Sequence, residues 1–434
     1  MISGGVHPLS FKRLSRNFPI QEFLQPERVV LPLSQHTGAA ATPVVKKGDE
    51  VVQGQLIGQA NGFVSSCLHA SISGRVSSVD YCYLPSGRRS LAITIENDGS
   101  NRRIETISRD WRSLASEQLV EGVRQAGIVG MGGAAFPTHV KLSLPPGRRA
   151  ELVILNGCEC EPFLTCDERV LREETAGVVE GLQIICRAVG TGKATVALEG
   201  DKDGLDEIVR PYLKKLEPEL KVELKILPER YPQGSEKQLI EAVTGRQVPS
   251  GKLPIDVGCL VFNVQTALAI KQAVTEGWPL VQRVLTLGGL VEKPSNLRVA
   301  IGTPVEAILN FCQVKLDGRK RLVMGGPMMG QALPETSLPV LKGTSGLLVL
   351  GPREGFSEEA PCIRCGRCLQ ACPMRLAPAE IGRQARLGNW EGCRQLYVND
   401  CIECGCCAYV CPSRLPLVAW FKWAKAELRE KKTA

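Results

Sequence analysis

Cys362-Ile-Arg-Cys365-Gly-Arg-Cys368-Leu-Gln-Ala-Cys372-Pro373 and, further on, Cys401-Ile-Glu-Cys404-Gly-Cys-Cys407-Ala-Tyr-Val-Cys411-Pro412 each read C-x2-C-x2-C-x3-C-P, and the rest of the chain is read outward from them. Three thiolates spaced by two residues wrap three corners of one iron–sulfur cube. The fourth, held at a helical offset and followed by proline, reaches toward the other cluster. Two runs therefore predict two [4Fe-4S] clusters, one held by Cys362, Cys365, Cys368 and Cys411, the other by Cys401, Cys404, Cys407 and Cys372. Structural zinc calls for cysteine pairs rather than two triplets with a trailing Cys-Pro, so zinc and a disulfide framework fit less well. Cys393 and Cys406 fall outside the pattern and read as packed bystander thiols.

A chain of 434 residues exceeds one ordinary domain and predicts three or four units with their own cores. Its 18 cysteines could suggest secretion. However, the clusters claim eight of them and no basic stretch followed by an apolar one opens the chain, so a reducing cytoplasm fits better. No apolar run approaches the roughly 18 residues that a membrane span needs, and the chain is expected to sit on a membrane at most. The formal charge of +8 counts cysteines as neutral. Two oxidised clusters with their thiolates carry about two negative charges each and lower it to about +4. Aromatic residues make up 5% and no basic stripe with aromatic platforms is present, which speaks against nucleic acid as a partner.

Residues 1–110 carry short β-branched runs at 28–33, 42–45 and 91–95 and read as a small all-β unit. Within it, 43–58 and 69–76 resemble the barrel-sandwich hairpins of lipoyl and biotinyl domains. Such domains carry a lysine at a hairpin tip. The matching turn, near Asn61 to Cys67, has none, which favours a docking or structural role over a swinging arm. His7, His36 and His69 are scattered and read as ordinary hydrogen-bonded histidines.

From about 111 the period becomes helical, with Leu119, Val123 and Ala126 leading into Gly127-Ile-Val-Gly130-Met-Gly132-Gly133-Ala-Ala-Phe136-Pro137-Thr138-His-Val-Lys141. Glycines let a backbone approach a ligand and turn its N–H groups inward, as phosphate cradles require, and Lys141 can add a point charge. A tight helix-to-loop connection is the plain alternative. Strands at 152–155, 194–198 and 221–227, with helices at 169–189 and 205–216, predict a parallel α/β sheet within 111–278. Its first strand runs into Asn156-Gly-Cys158-Glu159-Cys160-Glu161-Pro162, at the carboxyl end where open α/β sheets bind ligands. Cys158, Cys160 and Cys166 lack the spacing of a rigid chelate, and Cys186, Cys259 and Cys312 read as core.

Strand, turn and helix signals follow in short order over 279–352, where the glycine-rich 321–330 reads as a tight turn packed on a sheet. A linker at 352–361 leads into a cluster domain at 353–434. Beyond the last ligand, Leu417, Trp420, Phe421, Trp423 and Ala424 lie among lysines and arginines. Two readings stay open: an amphipathic helix for a membrane subunit or bilayer surface, and a terminal helix packed back on the cluster domain.

Together the glycine loop, the acidic strand end and the double cysteine motif resemble the C subunits of Rnf complexes, the membrane-bound ferredoxin:NAD oxidoreductases. The resemblance runs from Gly4-Gly5-Val-His7-Pro8 to the last cysteine motif, and the middle is also similar to the flavin- and NADH-binding subunit of respiratory complex I. It implies a multidomain α/β and α+β fold: a barrel-sandwich β domain, a Rossmann-like flavin/NADH domain, a β-grasp unit and a helical two-cluster ferredoxin domain. It implies a non-covalent flavin mononucleotide (FMN), embraced with the dinucleotide by Gly130, Gly132, Gly133, Ala134, Phe136, Thr138 and Lys141, with Ala135 where the family has its last glycine. Asn156, Glu159 and Glu161 fall on a segment that makes polar contacts to flavin and nicotinamide. Tyr231-Pro-Gln-Gly234-Ser235-Glu236 resembles Tyr-x-x-Gly-Glu-Glu, with Ser235 in place of the first glutamate and Glu236 as the second. Asn263 and Thr266 lie in a segment that helps hold the flavin phosphate, with Gln265 where the family has glutamate.

A nicotinamide moves two electrons as hydride and a four-iron cluster moves one, so a chain that joins them needs a flavin. The expected activity is hydride exchange between NAD(H) and FMN, with single electrons passing through two clusters. The resemblance implies a peripheral subunit on the cytoplasmic face of the bacterial inner membrane. Its partners would be membrane and iron–sulfur subunits that move ions, with ferredoxin reached through the complex. A soluble cobalamin reductase shares the flavin loop, the β-grasp unit and the paired clusters, but the amino-terminal barrel-sandwich favours the Rnf type. Ala135, Ser235 and Gln265 keep a non-catalytic electron wire or scaffold open as a third reading.

Overall fold

Val29 and Leu31 on Arg28–Pro32, and Ile93 and Ile95 on Arg89–Asn97, are fully buried, as period-two strands with one inward face require. In the computed structural model, which describes residues 4–216, 218–318, 320–351 and 359–433, these two strands pair antiparallel. Gly74–Tyr83 and Glu50–Val51 complete a four-stranded sheet. A second sheet of Thr42–Pro43, Leu56–Gln59 and Leu68–His69 shares its core through Ile57 and Leu68. Most of the linker expected at 352–361 lies outside the described residues.

Residues 4–23, within the span expected at 1–110, supply no strand to these two sheets among the described residues. They run instead across the other units. The Gly5 amide donates to the Ala371 carbonyl (2.8 Å), and Val6 and Tyr231 exchange both backbone bonds (2.8 and 2.9 Å). Glycine is required for this approach, because a side chain at Gly4 would overlap the Cys372 carbonyl. Lys12, 3% exposed, donates to the Glu159 carbonyl and lies 3.9 and 3.8 Å from the carboxylates of Glu199 and Asp201. Gln21–Phe23 then forms a parallel edge strand beside Ser295–Ala300.

The middle unit is a four-stranded parallel sheet in the order Lys221–Leu227, Lys193–Glu199, Leu152–Gly157, Cys259–Asn263. The last strand joins beside the first, so Asn156 and Asn263 sit opposite each other where both strands end. The helix expected over 169–189 is two helices, Cys166–Glu173 and Thr175–Val189. Glu174 between them leaves helical geometry (φ −127°) and its carboxylate pairs with Arg298 of the neighbouring unit.

Over 279–352 a mixed sheet carries Ser295–Ala300, Gln282–Gly289, Gly346–Leu350, Arg321–Met324 and Gln331–Ala332, with the central pair parallel. Val305 and Ile308 of the helix Val305–Phe311 fill its core. The last unit is helical. Leu417, Phe421 and Ala424 of Leu417–Thr433 are buried with Ile381, Ala385 and Cys393, so the terminal helix packs back on the cluster domain as the second of the two readings expects, while Trp423 of the same helix stays 48% exposed. No helix among the described residues is long and apolar enough to cross a membrane.

Candidate functional site

After the helix Ser116–Gln125 the chain turns at Gly127 (φ 65°) and buries Ile128 and Val129. The loop then closes on itself: Gly130 N–H donates to the Phe136 carbonyl (2.8 Å) and Ala135 N–H to the Gly130 carbonyl (3.1 Å). Met131 N–H donates to Thr266 Oγ1 (2.9 Å), so Thr266 anchors the loop. Gly132, Gly133 and Ala134 are left exposed at the tip, and a Cβ built on Gly133 would meet nothing within 4 Å. Phe136 is half-buried. Ala135 takes the left-handed backbone (φ 47°) that the expected glycine would take freely.

Several sequence-predicted residues are tied together near the ends of the strands Leu152–Gly157 and Cys259–Asn263, the latter lying beside Gly132 through Asn263. Lys141 Nζ pairs with Glu236 Oε1 (2.7 Å) and donates to the Val261 carbonyl (2.8 Å). Asn156 Nδ2 donates to the Gly234 carbonyl (2.8 Å), which ties the strand end to the Tyr231–Glu236 segment. Asn263 Oδ1 accepts from the amides of Gln265 (2.9 Å) and Thr266 (3.4 Å), capping the helix Val264–Glu276. The Thr138 hydroxyl, 2% exposed, has no hydrogen-bond partner among the described residues.

Two predicted acids are engaged elsewhere. Glu159 is buried and accepts from the amides of Asp167 (3.1 Å) and Glu168 (3.2 Å), and so serves the start of the helix Cys166–Glu173. Glu161 accepts from the amides of Met328 (3.1 Å) and Met329 (2.9 Å), while Gly326 leaves room for its carboxylate. Burial pushes the Glu161 carboxyl up to about 7, against the pull of those amides. The turn 321–330 therefore packs on a carboxylate as well as on the sheet. Asp167, which the sequence did not single out, accepts from Asn263 Nδ2 (2.6 Å) and Gln265 Nε2 (2.8 Å). Burial and then the neighbouring Glu159 raise its carboxyl to about 7. A charged residue inside an apolar strand, Arg283, was the available signal for this cluster: fully buried, it sits beside Asp167 and Glu159.

The two cysteine runs share one backbone path. Arg364 and Glu403 (φ 55° and 58°), Gly366 and Gly405 (75° and 82°), and Arg375 and Arg414 (56° and 53°) take left-handed turns at matching positions. Cys372 joins Cys401, Cys404 and Cys407 around one small cavity closed by Leu376 and Phe421. Burial raises the Cys407 thiol, and its neighbours Cys401, Cys404 and Cys372 add to the rise. Burial likewise raises Cys368, whose neighbours are Cys411 and Cys362. Backbone amides of Leu376 and Glu403 approach the sulfurs of Cys372 and Cys401 at 3.4 Å each. Cys362 and Cys365 are exposed, whereas Cys372, Cys404 and Cys407 are buried. Tyr231 joins the second group to the middle unit: its hydroxyl donates to the Cys404 carbonyl (2.8 Å) and lies 3.4 Å from Glu161 Oε1.

Comparison with known proteins agrees with this layout. Residues 1–100 match the RnfC barrel sandwich hybrid domain, residues 123–272 the Nuo51 FMN-binding domain and residues 355–412 a 4Fe-4S dicluster domain. The chain is 45% identical over 383 residues to the C subunit of the proton-translocating ferredoxin:NAD(+) oxidoreductase complex of Clostridium ljungdahlii, covering 87% of this chain and 83% of that one. It is 42% identical to the C subunit of the ion-translocating oxidoreductase complex of Rhodobacter capsulatus, covering 100% and 84%. It is 40% identical to the Na(+)-translocating counterpart of Acetobacterium woodii, covering 90% and 88%. An NAD+-reducing [NiFe]-hydrogenase chain shares the fold over 74% of this chain and 63% of that one, with a TM-score of 0.53 and 18% identity. These domains make the chain an oxidoreductase subunit of the flavin and iron–sulfur class. Within that class, it belongs to the family of C subunits of the ion-translocating ferredoxin:NAD oxidoreductase, or Rnf, complexes.

Proposed function

We propose that this subunit exchanges hydride between NAD(H) and an FMN seated at the tip of the glycine loop, and passes single electrons through two [4Fe-4S] clusters to or from iron–sulfur and membrane partners. The observation that carries the reading is the junction at Tyr231, where one residue belongs to the expected nucleotide-binding segment and bonds to the backbone of a cluster cysteine, Cys404. A flavin supplies the conversion between a two-electron hydride and one-electron carriers. The residues present fit such a group: exposed Gly132 and Gly133, the Thr138 hydroxyl, without a hydrogen-bond partner among the described residues, and Lys141, a cation now paired with Glu236. Gly130, Ala134 and Phe136 complete the loop. Asn156, Glu236 and Asn263 shape the floor, while Thr266 and Glu159 act indirectly, by fixing the loop and a helix start.

Cys372, Cys401, Cys404 and Cys407 would hold the inner cluster, against the flavin unit, and Cys362, Cys365, Cys368 and Cys411 the outer one, where exposed thiols favour a partner's approach. The strand order 3-2-1-4 of the parallel sheet supports the Rossmann-like reading. The mixed sheet with its parallel central pair and single crossing helix supports the β-grasp reading. In this reading the subunit sits peripherally on the cytoplasmic face of the membrane; for the peripheral part, the support is that no helix among the described residues is long and apolar enough to cross it. Anaerobically reconstituted protein should retain FMN and reduce a dye with NADH, and Lys141→Met should lose flavin while keeping its iron. Iron-loaded protein without flavin or NADH activity would reduce the subunit to an electron wire.

A further inference from the structure

Lys342 interrupts the apolar run Leu338-Pro-Val-Leu-Lys342 and is 1% exposed. An ammonium buried this far ordinarily meets a carboxylate. Among the described residues none pairs with it. Its Nζ donates instead to the Cys67 carbonyl (2.7 Å), the Gly127 carbonyl (2.8 Å) and the Ser66 hydroxyl (3.3 Å). These acceptors belong to two other units. Ser66 and Cys67 end the turn that matches the hairpin tip of lipoyl domains, and Gly127 begins the glycine loop.

Other bonds tie the same two segments together. Ser66 Oγ donates to the Gly127 carbonyl (3.0 Å). Thr37 donates through its amide to the Ala135 carbonyl (3.2 Å) and through its hydroxyl to the Ala134 carbonyl (3.1 Å). His139 Nε2 donates to the Phe63 carbonyl (2.9 Å), with the two rings edge-on at 5.9 Å. The approach is close enough that a side chain at Gly127 would overlap the Cys67 carbonyl. Burial lowers the Lys342 ammonium to about 7. Burial and then the neighbouring lysine lower His36 to about 4 and His69 to about 3, so both stay neutral beside it.

We propose that Lys342 is a positioning residue for the glycine loop, pinning its start to the hairpin tip of the amino-terminal unit, which thereby serves as a fixed clamp on that loop. The proposal rests on the flavin reading of the loop for its functional meaning. In lipoyl domains the tip carries a lysine that moves. Here a lysine reaches the tip from another unit and holds it in place.

The test uses full-length, cluster-loaded protein carrying Lys342→Met or Thr37→Val, with amide hydrogen exchange as one readout and FMN titration by fluorescence quenching as the other. Exchange over 127–139 should rise about tenfold or more in Lys342→Met and less in Thr37→Val, and FMN affinity should fall about tenfold in Lys342→Met. Iron content and exchange in Leu152–Gly157 should match the unsubstituted protein. Unchanged loop exchange in Lys342→Met would overturn the proposal, and so would an equal rise in every unit, the mark of a merely structural lysine. If Lys342→Met does not fold, Ser66→Ala joins Thr37→Val, and no loop-specific rise in either would also overturn it. A loop-specific rise in Lys342→Met, together with an unsubstituted protein that itself takes up no FMN, would support the clamp and refute the flavin reading separately.

Discussion

At the scale of residues, Ala135 shows how a sequence position can be right while its conformation is hidden. The family motif placed it in the loop, but only the backbone reveals a left-handed alanine with its methyl group against Gly343. Such a conformation costs an L-residue about 1–2 kcal/mol, part of which glycine returns as chain entropy. Ala135→Gly should therefore stabilise the protein by up to about 1 kcal/mol, seen as a higher thermal midpoint with FMN uptake retained. Lys342 carries a pH signature. Its folded pKa of about 7 lies below the unfolded value near 10.4, so between these values the unfolded chain binds more protons and stability rises with pH. Thermal midpoints measured from pH 7 to 9 should show this rising contribution, and Lys342→Met should flatten it. What was legible is proximity: Lys141 pairs with Glu236, and Asn156 and Asn263 end neighbouring strands. The hydrogen-bond partners of Glu161 were not legible, because a motif fixes a residue type without fixing that its carboxylate accepts from the amides of Met328 and Met329.

At the scale of elements, hydrophobic period located the strands of the parallel sheet and most of its helices. It missed the break at Glu174, where a tertiary partner, Arg298, outweighs local helix preference. The terminal helix was legible as amphipathic, but an apolar stripe does not say what covers it. Its cover is the cluster domain: Phe421 is 1% exposed and closes the cavity of Cys372, Cys401, Cys404 and Cys407. Phe421→Ala should cost about 3–5 kcal/mol in a denaturant titration and lower iron retention at that one cluster. Retained stability and full iron content would show that the helix is not needed for the cluster domain.

At the scale of the whole molecule, the twin cysteine runs foretold the helical unit and its double character, since repeated spacing encodes repeated backbone geometry. They did not foretell the amino-terminal segment, which crosses three units through Gly5, Lys12 and Gln21–Phe23. Contacts between distant parts leave no periodic trace, and two glycines and one buried lysine were the whole signal. Crossed ligation makes a prediction at this scale: Cys372→Ser should damage the cluster of the second run and Cys411→Ser that of the first, read by electron paramagnetic resonance. Each serine variant losing only its own run's cluster would refute the crossing. The central claim, that the glycine-loop site feeds electrons to the cysteine runs, is tested most directly by adding NADH anaerobically to cluster-loaded protein with and without FMN and following reduced-cluster signals. The account predicts signals within the enzyme's turnover time only when FMN is bound. Signals equally fast without FMN, or none with it, would contradict the account.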